Sequence, residues 1–239
     1  DTWCDWQERH SLLKTSFDVD IRSNQAVYDI QFGNLARNTH SNTSWDYAQF
    51  EVCAHKWADL SEGNYGVTLM NDCKYGYDIK GRKMRLTLVK TSSYPDPDAD
   101  LGEHIFSYAL LPHGSTWKDA HSHRRAYELN DPIHWRPSGR IPGQLPEQFT
   151  FAGTDRGNVV IETVKKAENE EAWIIRAYEC MQYRGKVTFC FGRKPAAVWE
   201  CDLMEKELRS VRTEENGFIS EVTPYEIKTF KVIFAKETK

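Results

Sequence analysis

The densest polar cluster of this 239-residue chain is Asn71-Asp72-Cys73-Lys74-Tyr75, directly after the apolar run Val67-Thr68-Leu69-Met70. A strand end of this kind can present Asp72 and Lys74 to a ligand, one as an acceptor and one as a cation. It can equally be a turn in which Asn71 and Asp72 cap backbone donors. A second cluster runs Lys90-Thr91-Ser92-Ser93-Tyr94-Pro95-Asp96-Pro97-Asp98-Ala99-Asp100, then Gly102-Glu103-His104. Asp96, Asp98 and Asp100 alternate as calcium ligands do. The glycine and the distal bidentate glutamate of a calcium loop are missing from their places, however. Long polar loops between strands are more often functional or mobile than structural. Lys90, the three carboxylates and His104 are suited to hydrogen bonds with hydroxyl groups, and Tyr94 to the face of a sugar ring.

Other signals are weaker. Two carboxylates can run glycoside hydrolysis, but among 35 Asp and Glu such pairs arise everywhere. On a strand, His121 and His123 would point the same way, with no third metal ligand near them in sequence. There is no G-x-S-x-G, no H-E-x-x-H, no phosphate-binding loop and no Gly-rich dinucleotide turn. No catalytic residue and no metal ligand is assigned.

The segments that must hold these clusters read as strands. In 26–32, Ala26, Tyr28, Ile30 and Phe32 fall on one face, and Val27, Asp29 and Gln31 on the other. The runs 49–53, 65–70, 84–89 and 104–111 read alike, with 75–81 as a hairpin-like connector. No amphipathic helix exceeds about two turns, and 116–129 is the best candidate. Residues 130–147 hold Pro132, Pro137, Pro142, Pro146, Gly139 and Gly143, which read as a linker. Short strands resume at 159–165, 172–180, 186–191, 197–202, 217–222 and 226–234, with 173–178 apolar on both faces and Asn216-Gly217 as a turn. The expectation is an all-β chain. It comprises a large β-sandwich portion over 1–129, the linker over 130–147, and a small β-sandwich over 148–239.

Composition narrows the partners. Charged residues at 28% and hydrophobic ones at 40% are ordinary for a soluble globular protein. The net charge of −4, without a basic stripe, argues against nucleic acid. No apolar stretch approaches the ~20 residues of a membrane helix. Aromatics at 13%, eight of them Trp, suit sheets and sugar-binding surfaces. The cysteines (Cys4, Cys53, Cys73, Cys180, Cys190 and Cys201) have no C-x-x-C spacing. They read as reduced thiols of a cytoplasmic protein. Asn42-Thr43-Ser44 is a formal glycosylation sequon of little weight. The start at Asp1 lacks both a Met and a leader pattern, so the chain is expected to begin inside a longer gene product or after processing. Trp3 and Trp6 would then be surfaces left bare by that start. On the residues alone, this is a carbohydrate-binding or accessory module.

Longer stretches carry a resemblance. They are Glu51-Val-Cys-Ala-His-Lys-Trp-Ala-Asp-Leu-Ser-Glu62, Tyr65-Gly66-Val67, Leu69–Gly76, Met84–Lys90, Pro95-Asp96, Ala99-Asp100, Gly102 and His104–Gly114. Upstream, Asp5-Trp6-Gln7, His10, Leu12-Leu13-Lys14, the proline-free Phe17–Ile21 and Asn42–Asp46 fit the same pattern. Downstream, so do Glu162–Glu168, Arg176–Glu179 and Pro224–Phe230. In this order, over nearly the whole chain, they resemble the C-terminal half of glycoside hydrolase family 38 α-mannosidases, in the cytosolic and bacterial branch.

The resemblance implies a galactose-mutarotase-like supersandwich portion followed by an immunoglobulin-like sandwich. It implies retaining hydrolysis of terminal α-mannosides through a mannosyl-enzyme intermediate, in mannose or oligomannoside catabolism. The nucleophile, the acid/base and a divalent metal, usually zinc, would lie in an N-terminal catalytic barrel, which with a helical domain would be this chain's own partner. No residue here matches those motifs. The loop 90–104 is then the segment expected to reach the α-mannoside substrate. A free-standing lectin-like module is the alternative, and self-association stays open.

Overall fold

The computed structural model of the chain describes residues 1–139, 143 and 146–235. It divides into two compact units, Asp1–Trp135 and Arg136–Lys239. The stretch around the division, 131–139, has no regular secondary structure. Of the linker expected over 130–147, Arg140, Ile141, Pro142, Gln144 and Leu145 lie outside the described residues.

The first unit runs β1 (Thr2–Trp6), β2 (Leu12–Asp18), β3 (Gln25–Ile30), β4 (Gly33–Asn38), α1 (Ser44–Ala48), β5 (Val52–Cys53), β6 (Trp57–Ser61), β7 (Tyr65–Asn71), β8 (Gly76–Lys80), β9 (Lys83–Lys90), β10 (Gly102–Phe106), β11 (Tyr108–Gly114) and α2 (Ser122–Asn130). Its strands form a five-stranded sheet, β11-β7-β6-β3-β4, a four-stranded sheet, β2-β9-β8-β5, and a ribbon, β1-β10. Alternation supplies the core. Ala26, Tyr28, Ala58, Leu60, Val67 and Leu69 of the larger sheet pack with Tyr77, Ile79, Met84 and Leu86 of the smaller one. Fully burying one such side chain contributes roughly 1.5–3 kcal/mol.

Four sequence expectations change. The strand expected at 26–32 ends at Ile30, and Phe32 sits at φ 55° in the turn to β4. In place of 49–53 only Val52–Cys53 pairs. Gln49 ends α1, which Thr43 caps by accepting Asp46 N–H at 3.1 Å. The connector 75–81 is mostly the strand β8, because Tyr77 and Ile79 alternate into the core and only Gly81, at φ 57°, makes the turn. The run 104–111 breaks at Ser107. There the backbone of Ser107 is tied to Asp72 by N–H to Oδ2 at 3.0 Å and by Asp72 N–H to O at 3.2 Å. β10 therefore pairs with β1, and β11 with β7.

The second unit contains β12 (Ala152–Thr154), β13 (Val159–Lys166), β14 (Trp173–Glu179), β15 (Gly185–Phe191), β16 (Pro195–Cys201), β17 (Glu207–Val211), β18 (Thr213–Glu214), β19 (Gly217–Val222) and β20 (Ile227–Phe234). The sheets β12-β15-β19-β18 and β13-β14-β20-β16-β17 are both antiparallel, and one apolar cluster draws on strands of both. Phe189, Phe218 and Phe230 are its centre, with ring centroids 4.6–5.0 Å apart. The turn signal at Asn216-Gly217 lands one residue early, on Glu215-Asn216. Gly217 opens β19 because a Cβ there would stand 1.9 Å from the carbonyl oxygen of Phe189.

Candidate functional site

The turn after β7 builds a cleft in the first unit. Asn71 is buried, and its side chain is fully committed. Nδ2 donates to the His55 carbonyl at 3.0 Å and to the Tyr77 hydroxyl, while Oδ1 accepts from the N–H groups of Cys73, at 3.0 Å, and Lys74. Asn71 thus caps the turn, and Asp72 fastens it to Ser107. From α2, Asn130 Nδ2 donates to the carbonyls of Asn71 at 2.9 Å and Ala126 at 2.8 Å. These bonds frame a cleft of about 260 Å³, lined by His55, Lys56, Asn71, Asp72, Tyr75 and Asn130.

Its walls combine polar groups with an aromatic edge. His55 and Tyr75 meet edge to face at 5.5 Å. Lys56 is held from behind. Its N–H donates to Asp29 Oδ2 at 2.9 Å, and its Nζ lies 4.5 Å over the Tyr127 ring. Burial raises the Asp29 carboxyl above the usual range, and the Lys56 N–H opposes that shift. A carboxylate, an imidazole and a half-exposed tyrosine ring on these walls are groups able to hydrogen-bond and to stack. The set does not extend to covalent chemistry at Cys73. Burial first, then the neighbouring Asp72 carboxylate, push that thiol up to about 11, so it stays protonated near neutral pH.

The residues with sequence signatures for ligand contact separate. Only Asp72 lines the cleft. Lys74 turns away, its Nζ 4.6 Å over the Phe106 ring. In the loop, Asp98 pairs with Arg9 at 2.6 Å, and Asp96 Oδ1 accepts Asp98 N–H at 2.9 Å, so both carboxylates hold the loop itself. Arg9 also donates to the Pro97 carbonyl. Asp100 adopts φ 55°, and its carbonyl lies 2.9 Å from His104 Nε2. Lys90 ends β9 exposed, and among the described residues neither it nor the Asp100 carboxylate has a side-chain partner. His55, Lys56, Tyr75 and Asn130 carried no functional signal in the sequence reading.

A second polar cluster lies on the opposite face of the larger sheet. Asp59, almost fully buried, accepts from Thr68 Oγ1 at 2.6 Å and from the Ser61 hydroxyl, and His113 Nε2 lies 2.7 Å from its Oδ2. Ser122 Oγ reaches Thr68 at 2.6 Å. No hydroxyl here meets the imidazole, so the cluster lacks the nucleophile–base contact of an acyl-transfer triad. The bond to Asp59 raises the His113 pKa above its usual range, against the effect of burial. Gly66 leaves room for the ring, since a Cβ there would lie 2.3 Å from His113 Cε1. Among the described residues, no three His, Cys, Asp or Glu side chains gather as a metal site, and no helix is long and apolar enough to cross a membrane. No disulfide joins the six cysteines.

Two compact all-β units, the first carrying a polar cleft with an aromatic edge, define the class of protein. Comparison with known proteins makes this specific. Residues 1–98 match the glycosyl hydrolases family 38 C-terminal domain, and residues 158–230 the C-terminal beta sandwich domain of the same family. Alpha-mannosidase G of Dictyostelium discoideum is 37% identical over 98% of this chain and 22% of its own length. Human alpha-mannosidase 2C1 is 42% identical over 84% of this chain and 19% of its own. The crystal structure of an alpha-mannosidase from Enterococcus faecalis V583 shares the fold, with a TM-score of 0.80 at 16% identity, over 96% of this chain and 26% of that one. The chain belongs to glycosyl hydrolase family 38, as its C-terminal β-domains, and spans about a fifth of the length of the curated relatives it matches.

Proposed function

We propose that this chain is the non-catalytic C-terminal part of a retaining, cytoplasmic α-mannosidase acting on terminal α-mannosides in mannose or oligomannoside catabolism. The observation that carries the reading is the 37–42% identity to proteins named alpha-mannosidases over most of the chain. In this reading the nucleophile, the acid/base and the divalent metal, zinc by the family resemblance, belong to an N-terminal barrel. No residue here takes those roles. The barrel and its helical domain are the partner. Large exposed aromatics support such a contact: Trp45 at 82%, Tyr47 at 73% and Phe50 at 72% cluster around α1, and Trp3 and Ile105 face outward together on the β1-β10 ribbon. Substrate contact is assigned to the 90–104 loop, through Lys90 and Asp100, and to the cleft, through Asp72 and Tyr75.

The test is hydrolysis of an aryl α-mannoside, comparing this chain alone with the same chain joined to the N-terminal region its gene encodes. Turnover by the joined protein only is the expected result. Turnover by the isolated chain, or none by the joined protein, would overturn the reading. The polar cleft with its aromatic edge favours one rival, a lectin-like module. Saturable binding of methyl α-mannoside to the isolated chain, displaced by a Tyr75→Ala change, would decide for it.

A further inference from the structure

A second cleft, of about 180 Å³, lies in the second unit, away from every residue given a role above. Arg156, Arg184 and Lys186 line it with Asn158 and Tyr183, over an apolar floor that includes Val187 and Val222. No acidic side chain is among its walls. Several other cations of the unit are paired. Lys165 reaches Glu168 and Glu205, Lys228 reaches Glu200 and Glu226, Lys231 reaches Glu170 and Glu207, and Arg209 reaches Glu200, all within 3.3 Å. Among the described residues, none of the three cleft cations forms an ion pair within 4.0 Å.

The carboxylates nearby are spent or lie to one side. Glu179 is fully buried. Its two oxygens take the N–H groups of Met181, Gln182, Tyr183 and Tyr225 and the Asn158 Nδ2, at 2.8–3.0 Å. Asp155 is held by the N–H and hydroxyl of Thr188, both at 2.9 Å, and its charge is felt by Arg156 without an ion pair within 4.0 Å. Glu221 stands opposite Lys186 in the β15–β19 register without pairing to it. Glu179 thereby does two things for the cleft. It pins the turn that leads into Arg184, with Gln182 at φ 65° and Gly185 at φ 145°, and it fixes the amide of Asn158. The cations stand on a frame set by five hydrogen bonds to one buried carboxylate.

We infer that this cleft binds a small phosphate-bearing ligand. Two guanidinium groups and an ammonium line this one small cleft, and these are the side chains that pair with phosphate oxygens. The same phosphate chemistry can come from inorganic phosphate or from a sugar phosphate, and the experiment separates the two.

The 15N-labelled chain is titrated with inorganic phosphate, with glucose 6-phosphate, with a poly-glutamate peptide, and with sodium chloride at matched ionic strength. The expected result is saturable amide shifts confined to residues 156–158, 183–187 and 222, with a Kd on the order of 1 mM or tighter for at least one phosphate. Tighter binding of glucose 6-phosphate identifies a sugar phosphate as the ligand, and equal binding identifies phosphate alone. An Arg184→Met/Lys186→Met variant with an unchanged melting midpoint should bind at least tenfold more weakly. Arg156→Gln should weaken binding too, and Lys206→Met, the same charge loss elsewhere, should not. Shifts that do not saturate, that chloride reproduces, or that survive in the double variant overturn the proposal. So does tighter binding of the peptide, which would make the cleft a dock for an acidic chain.

Discussion

Replacing Glu179 by Gln changes one atom of a buried side chain and should nonetheless unfold much of the second unit's margin. Glu179 Oε1 accepts from Met181 N–H at 2.8 Å, Tyr183 N–H at 3.0 Å and Asn158 Nδ2 at 3.0 Å. Oε2 accepts from the N–H groups of Gln182 and Tyr225, each at 3.0 Å. A glutamine keeps one oxygen. Its better orientation puts that oxygen on the three donors and its NH2 against the other two. Two backbone N–H groups, in part-buried bonds, then lose their acceptor, and each costs up to about 1–3 kcal/mol. The three remaining bonds also lose their charge assistance. The expected loss is roughly 2–6 kcal/mol, against a total of about 5–15 kcal/mol for a typical domain. Urea unfolding followed by tryptophan fluorescence measures it, since Trp173 and Trp199 both lie in this unit. Glu171→Gln is the control, because its pair with Lys166 is exposed and worth at most about 1 kcal/mol. A loss below about 1 kcal/mol for Glu179→Gln would refute the reasoning.

Other expectations follow from the first unit. His113 has a pKa raised by Asp59 above its usual 6.5, so folding favours its protonated form. Its contribution is fully present below the unfolded pKa and is lost as pH rises through the folded one. Unfolding midpoints measured from about pH 6 to about pH 9 should therefore fall more for the wild type than for His113→Gln, and parallel curves would refute the assignment. Cys73, pushed up to about 11, carries roughly a hundredfold less thiolate near neutral pH than an ordinary thiol. Peptide mapping after iodoacetamide treatment should find it modified far more slowly than a free thiol of the same exposure, and equal rates would contradict the shift. If the proposed function holds, Lys90→Ala or Asp100→Ala in the full-length mannosidase should cost about tenfold to a hundredfold in kcat/KM with folding intact, a charged hydrogen bond to a hydroxyl being worth roughly 1.5–3 kcal/mol. Wild-type kinetics from both would assign the loop to a purely structural role.

Several strands with one wet face were legible in the sequence, because period two survives in them: β9 alternates Met84, Leu86 and Leu88 inward against Arg85 and Thr87, while β1, β2 and β4 went unread. Two further kinds of strand were not legible. β6, Trp57–Ser61, is buried on both faces, with Trp57 toward Trp117 and Ala58 and Leu60 in the core, so no alternation marks it. β17, Glu207–Val211, is exposed along most of its length and offers no apolar signal at all. Boundaries failed where a distant residue set them. The break at Ser107 depends on Asp72, 35 positions away, and nothing local to 104–111 records it. Trp6, expected to be left bare, packs against the core, while Trp3 is the exposed one of the pair.

The candidate sites divide along the same physical line. The turn at Asn71-Asp72 was visible because Asx capping is local, and the two readings weighed for it do not exclude each other. Asn71 spends all its hydrogen-bonding groups on the turn, and in doing so sets Asp72 and Tyr75 at the edge of a cleft. The other walls, His55 and Asn130, come from before and after the turn, and only the fold unites them. Charge alternation in the 90–104 loop is informative in the opposite sense. Three aspartates looked like three ligand contacts, yet two of them are consumed in holding the loop, one by Arg9 from 89 positions upstream. A carboxylate's availability depends on whether a donor already occupies it, and that donor is usually remote in sequence. The same test separates Glu179, whose oxygens are all engaged, from Arg184 and Lys186, which among the described residues form no ion pair.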